Sequence, residues 1–162
     1  MHIREAQSDD LTTILSIMNE AILNTTAIYE YEERALPFIE DWFNKKMLDN
    51  EPVIVCCDGD LILGYGTFGR FRPRAAYQFS VEHSVYVKNG FHRRGIGSLL
   101  LETLINLAKK RGYHTLIAGI DAANQSSYEF HRRFGFIEVA RFKEVGYKFD
   151  RWLDLIFMQR ML

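Results

Sequence analysis

Glu82 and His83 stand in the run Val81-Glu82-His83-Ser84-Val85-Tyr86-Val87, which leads into the basic stretch His92-Arg93-Arg94-Gly95-Ile96-Gly97-Ser98. A carboxylate such as Glu82 can take a proton from a reacting group, and a histidine can take one or return it. The basic stretch has a different use. A helix that opens at glycines presents unpaired N–H groups and the positive end of its dipole, and Arg93 and Arg94 add charge beside it. Phosphate or pyrophosphate is the ligand such a start suits. It is not a Walker loop, because Ile96-Gly97-Ser98 lacks the Lys-Ser or Lys-Thr pair. It is not a dinucleotide fingerprint either, since Leu100 stands where a third glycine should be. Arg70, Arg72 and Arg74 alternate just upstream around Pro73. They are either solvated or a grip for an anionic group.

The elements that must position these residues follow from periodicity. Alternation puts Phe79, Val81, His83, Val85 and Val87 on one face of a strand and Ser80, Glu82, Ser84 and Tyr86 on the other. His83 therefore faces the apolar side, where a core histidine is expected, and Glu82 is either a general base or an exposed strand carboxylate. Leu101, Leu104, Ile105 and Ala108, widened by Leu100 and Leu107, then mark a helix that Gly112 ends. Upstream, residues 2–6 read as a strand, and Ser8 or Asp9 as the cap of a helix with Leu11, Ile14, Leu15, Met18 and Ile22 on one face. Residues 24–34 break the period and read as a loop, a plain connection or one wall of a pocket. Pro37 opens a second helix with Phe38, Ile39, Trp42 and Phe43. Residues 53–57 and 61–68 read as a hairpin about Asp58-Gly59-Asp60. Downstream, 114–120 is a strand, 121–124 a loop and 125–133 a helix. Residues 136–142 and 152–158 are the last strands, joined by 144–151. The order β-α-α-β-β-β-α-β-α-β-β predicts an α/β fold, a mixed sheet with helices on both faces, in one domain over residues 1–162.

The bulk numbers exclude several classes. With 48% apolar and 25% charged residues in 162, the chain is ordinary globular protein. A net charge of −1 leaves no basic field for nucleic acid. No run is long and apolar enough for a membrane span, and charged residues at the N-terminus leave no signal peptide; a cytoplasmic location is expected. Cys56 and Cys57 are adjacent, so on a strand they point to opposite faces and do not form an ordinary disulfide; no metal-ligand spacing exists, and no metal is expected.

The run from His92 to Gly97 resembles the acetyl-CoA pyrophosphate loop of the GNAT superfamily of N-acetyltransferases, with His92 departing from the usual Gln or Arg at its first position. Asn124, Ser127, His131, Gly135 and Phe136 resemble a second motif of that superfamily, with His131 where many members carry tyrosine. The strand run 81–87 and the segment 144–154 are similar to the phosphinothricin acetyltransferase subgroup, which includes enzymes for methionine sulfone and methionine sulfoximine. The resemblance covers essentially the whole chain. It implies a central, mostly antiparallel mixed sheet flanked by helices, acetyl-CoA as co-substrate and a homodimer.

Under that resemblance each residue takes a role. Glu82 is the general base that frees the α-amine, which is mostly protonated near neutral pH. The Val85 N–H meets the thioester oxygen as it becomes negative. Val85, Tyr86 and Val87 bond the pantetheine; Arg93, Arg94, Gly95, Ile96, Gly97 and Ser98 wrap the pyrophosphate. Asn124 and Ser127 hold the pantetheine arm or acetyl end, and His131 either protonates the departing thiolate or packs beside the cofactor. Arg72 and Arg74 are candidates to hold the acceptor's carboxylate, with Tyr29 and Tyr31 as an aromatic wall. No cysteine nucleophile is required, so direct transfer in a ternary complex is expected. Two other readings stay open: a non-catalytic acyl-CoA-binding module, and an acetyltransferase for protein N-termini or other amines.

Overall fold

The computed structural model describes residues 1–162, and its elements follow the expected order. They are β1 (His2–Glu5), α1 (Leu11–Asn24), α2 (Leu36–Leu48), β2 (Val53–Asp58), β3 (Leu61–Arg70), β4 (Ser80–Val87), α3 (Ile96–Lys110), β5 (Thr115–Asp121), α4 (Gln125–Arg133), β6 (Ile137–Lys148) and β7 (Arg151–Met161). The strands form one sheet in the order β1-β2-β3-β4-β5-β7-β6. Every neighbouring pair is antiparallel except β4 and β5.

Burial explains the layers. The α3 stripe of Ile96, Leu100, Leu101, Leu104, Ile105 and Ala108 packs on one sheet face against Leu63, Phe68, Val81, Leu116, Ala118 and Met158. Ile14, Ile17 and Ile22 of α1 and Ile39 and Phe43 of α2 cover the other face over Val53, Val55, Ile62 and Tyr65. Each such side chain contributes about 1.5–3 kcal/mol on full burial. Cys56 belongs to the first core and Cys57 to the second, so the neighbouring thiols do face apart and stay free.

Two local expectations are corrected. Neither Ser8 nor Asp9 caps α1. A short 3-10 turn (Ser8–Asp10) precedes the helix, and the buried Asp10 carboxylate accepts the Gln7 N–H at 2.7 Å and a two-pronged Arg4 contact at 2.6 and 2.9 Å. The Arg4 bond holds the Asp10 carboxyl below the usual range. Residues 144–148 and Arg151 are sheet rather than a connection. β6 and β7 meet at Phe149 and Asp150, both left-handed at φ 53° and 55°, the backbone of a type I′ hairpin turn. Neither residue is glycine, so the usual turn signal is missing.

One feature of the sheet decides where function can sit. β4 and β5 pair only at Ser80–Thr115, Val81–Leu116 and Glu82–Ile117, and they diverge beyond Glu82. On its other side β4 stays paired with β3 as far as Val87–Gly64. The result is a cleft in the middle of a continuous sheet.

Candidate active site

A cavity of about 1000 Å³ fills that cleft. Its lining includes Glu82 to Val87 of β4, Ala118 to Asp121 of β5, the stretch around Gly95 and Gly97, and Asn124, Ser127 and His131 of α4. The backbone of β4 supplies it with free hydrogen-bonding groups. Phe71 N–H donates to Ser80 C=O at 3.0 Å, and Lys88 N–H to Leu63 C=O at 2.8 Å. Even-numbered residues therefore turn their backbone groups to β3, and His83, Val85 and Val87 turn theirs into the cleft.

The second set of donors lies at the start of α3. Gly95 caps the helix at φ 81°, a left-handed conformation that glycine adopts without a side-chain clash. The first helical bond runs from Leu99 N–H to Gly95 C=O at 3.0 Å, and no backbone N–H from Arg93 to Ser98 has a main-chain acceptor. These amides point out of a helix N-terminus and fit a pyrophosphate. Of the expected loop residues, Arg93, Gly95, Ile96, Gly97 and Ser98 line the cavity. The Arg94 guanidinium instead lies over the Phe91 ring, 5.0 Å from its centroid.

Glu82 sits at the fork. Burial raises its pKa, and the Arg72 guanidinium lowers it in part. Its Oε1 lies 3.1 Å from the position a Cβ would take on Gly119. Glycine at that point of β5 leaves the carboxylate its space. His83 and His131 lie on the α3 side of the cleft, their rings 5.1 Å apart and tilted by 31°. Both are buried. His131 Nδ1 is 2.7 Å from the Ser127 carbonyl oxygen, which can only accept, so Nδ1 carries the hydrogen. His131 Nε2 and both nitrogens of His83 have no partner. Burial lowers the pKa of His131, against the Ser127 bond, and drives that of His83 down to about 3. Asn124 caps α4, its Oδ1 accepting Ser127 N–H at 3.0 Å.

The expected acceptor residues are more scattered. Arg72 lies over the Phe71 ring at 4.4 Å and is close enough to Glu82 to lower its pKa. Arg72 and Arg74 are both exposed on this loop and both outside the cavity lining. Tyr29 and Tyr31 are outside the cavity lining and bond the last hairpin. The Tyr29 ring packs against Gly146, and the Tyr31 hydroxyl donates to Tyr147 C=O at 2.6 Å. Sequence reasoning missed Asp121. The sequence pattern places it first in a loop, but it is the last residue of β5, buried and lining the cavity. Lys148 was also missed. Its buried ammonium donates to the carbonyls of Ile22, Thr25 (2.7 Å) and Ile28 (2.8 Å).

Residues 3–157 match the family described as an acetyltransferase (GNAT) domain. The L-methionine sulfoximine/L-methionine sulfone acetyltransferase of Pseudomonas aeruginosa is 40% identical over 158 residues, 97% of this chain and 92% of its own. The solved ribosomal-protein-alanine N-acetyltransferase of Brucella melitensis superposes with a TM-score of 0.98 at 42% identity over 100% of both chains. The phosphinothricin acetyltransferase of Sinorhizobium meliloti, solved in complex with acetyl-CoA, superposes with a TM-score of 0.96 at 35% identity over 99% of this chain and 88% of its own.

Proposed function

The chain belongs to the GNAT acetyltransferase family, and from that premise we propose that it moves the acetyl group of acetyl-CoA onto the α-amine of a small amino-acid-like acceptor of the methionine sulfone, methionine sulfoximine or phosphinothricin type. The observation that carries the reading is the forked cleft: unpaired β4 backbone beside Glu82 at one end, unpartnered amides before α3 at the other. Val85, Tyr86 and Val87 run along the pantetheine, with the backbone groups of Val85 and Val87 turned toward it. Arg93, Arg94, Gly95, Ile96, Gly97 and Ser98 surround the pyrophosphate, Arg94 through its backbone. Asn124 and Ser127 border the acetyl end.

Glu82 takes the ammonium proton, directly or through water, and the freed amine attacks the thioester in a ternary complex. The Val85 N–H stabilises the oxyanion. His131 returns a proton to the thiolate. Arg72, with Arg74 on the same loop, holds the acceptor carboxylate, and Tyr29 backs the acceptor-side loop. The molecule works as a single domain, a cytoplasmic homodimer acting on small molecules rather than on nucleic acid or membranes. The exposed side chains of β6 and β7 support the dimer.

The test is thiol release from acetyl-CoA against a panel of methionine sulfone, methionine sulfoximine and phosphinothricin. Turnover on one or more, by intersecting rather than parallel kinetics, is the expected result. Binding of acetyl-CoA with no turnover on any amine overturns it in favour of a non-catalytic module. The likeness to the Brucella melitensis protein favours one second reading, acetylation of a protein N-terminus. An alanine-starting peptide in the same assay decides, because it offers no carboxylate next to the amine for Arg72.

A further inference from the structure

Leu116, Ala118 and Ile120 of β5 belong to the core under α3, so Ile117, Gly119 and Asp121 share the opposite face. Glu82 lies over Gly119 on that face. Asp121 follows two residues on, about 7 Å further toward the open end of the fork. Phe157 and Leu155 flank Gly119 and give it an apolar floor. The cavity lining on this side thus holds a base and a second carboxylate with Gly119 between them.

The groups around Asp121 do not cancel its charge. Its side chain is 3% exposed. The Thr26 hydroxyl donates to Oδ2, and the Ala123 N–H donates to Oδ1 at 3.2 Å. Both donors are neutral. The nearest cation, Arg151, is half exposed and 3.8 Å away, too long for a hydrogen bond and open to screening by water. The negative field reaches its neighbours: burial first, then the Asp121 and Asp154 carboxylates, push the Tyr29 hydroxyl up to about 12.

An amino-acid acceptor with its amine at Glu82 and its carboxylate toward Arg72 sends its side chain the other way, along β5. Resting on the acceptor reading above, we propose that Asp121 is the specificity-determining residue of the acceptor cavity. Its charge favours acceptors with an uncharged side chain, such as methionine sulfone, over those with an anionic one, such as phosphinothricin.

The measurement is kcat/KM for methionine sulfone and for phosphinothricin with the same donor, expressed as a ratio within each variant. A general loss of folded protein cancels in that ratio. Wild type is expected to favour the sulfone, and Asp121→Asn to narrow the preference by about tenfold or more. Arg151→Ala, which removes the partial counter-charge, is expected to widen it. Thr26→Val keeps the charge and removes only the bond to the loop, so it is expected to leave the ratio alone. An unchanged ratio in Asp121→Asn, or a wild-type preference for phosphinothricin, overturns the selection while the acetyltransferase reading stands. Narrowing by Thr26→Val as large as that by Asp121→Asn overturns it too, since Asp121 is then only an anchor. Turnover of neither acceptor by wild type removes the acceptor reading and this inference together.

Discussion

Glu82 is held where burial raises its pKa and Arg72 offsets part of the rise. A general base works as the carboxylate, so activity must climb as pH rises through that raised pKa and level off above it. The acidic limb of kcat/KM is therefore expected at higher pH than for an ordinary glutamate. Glu82→Gln is expected to abolish that limb and lower kcat by about 10²–10⁴-fold; a retained limb assigns the base elsewhere. Arg72 is checked by a different split. Arg72→Ala should raise the acceptor KM and leave the acetyl-CoA KM unchanged, and equal effects on both count against the carboxylate clamp. His131 has a constraint of its own. With its hydrogen on Nδ1 toward Ser127, the neutral ring has only a lone pair at Nε2. It must gain a proton within the cycle before it can give one to sulfur. In the proposed mechanism the amine supplies it, because acetylation strips two protons from an ammonium nitrogen: one would go to Glu82 and the other through His131 to the thiolate.

The proposed acceptor side depends on the last turn of α1 and the irregular stretch that follows it. Residues 22–31 are tied to the last hairpin by Lys148, Tyr29 and Tyr31, and to β5 by Thr26. Lys148 is the strongest of these ties, a buried ammonium whose acceptors are backbone carbonyls; burial lowers its pKa. Hydrogen bonds to a charged group contribute about 1.5–3 kcal/mol, and stranded carbonyls add to the loss. Lys148→Met is expected to destabilise the fold by about 3 kcal/mol, to speed amide exchange first in residues 22–31, and to raise the acceptor KM more than that of acetyl-CoA. Uniform exchange across the chain would mean the tie is only structural. Lys148 also shows why part of the site was hidden. The alternation that separates Glu82 from His83 is local, and the glycine start of α3 lies within a few residues, so both were legible in the sequence. Lys148 and Asp121 acquire meaning only from partners far away in the chain, and the hairpin that carries Lys148 turns at Phe149 and Asp150 without a glycine to announce it.

The whole molecule ends in an edge that water does not suit. β6 is the last strand of the sheet, twelve residues long, with one side of its backbone unpaired. Along it Ile137 is 66% exposed, Val139 49% and Val145 53%, and Trp152 on β7 is 61% exposed. Among the helices, α3 buries its apolar stripe apart from Leu99 and Leu107 at its borders, while α2 leaves Leu36, Phe38, Met47 and Leu48 exposed. Long apolar edge strands invite pairing with another chain, and soluble proteins normally charge, shorten or cover them. Here Arg141 is bonded to Glu138, at 2.9 and 3.1 Å, which leaves Lys143 and Glu144 as the exposed charges of the strand. A second copy is the cover the proposed dimer supplies, through an isologous contact in which one substitution acts twice. Val139→Lys places a cation in that contact in both copies without touching the cleft. Wild type is expected to sediment at twice the 18.9 kDa chain mass, and Val139→Lys to shift toward the single chain as concentration falls. Wild type sedimenting as one chain at every concentration rules the dimer out, and an unshifted Val139→Lys moves the interface to another face.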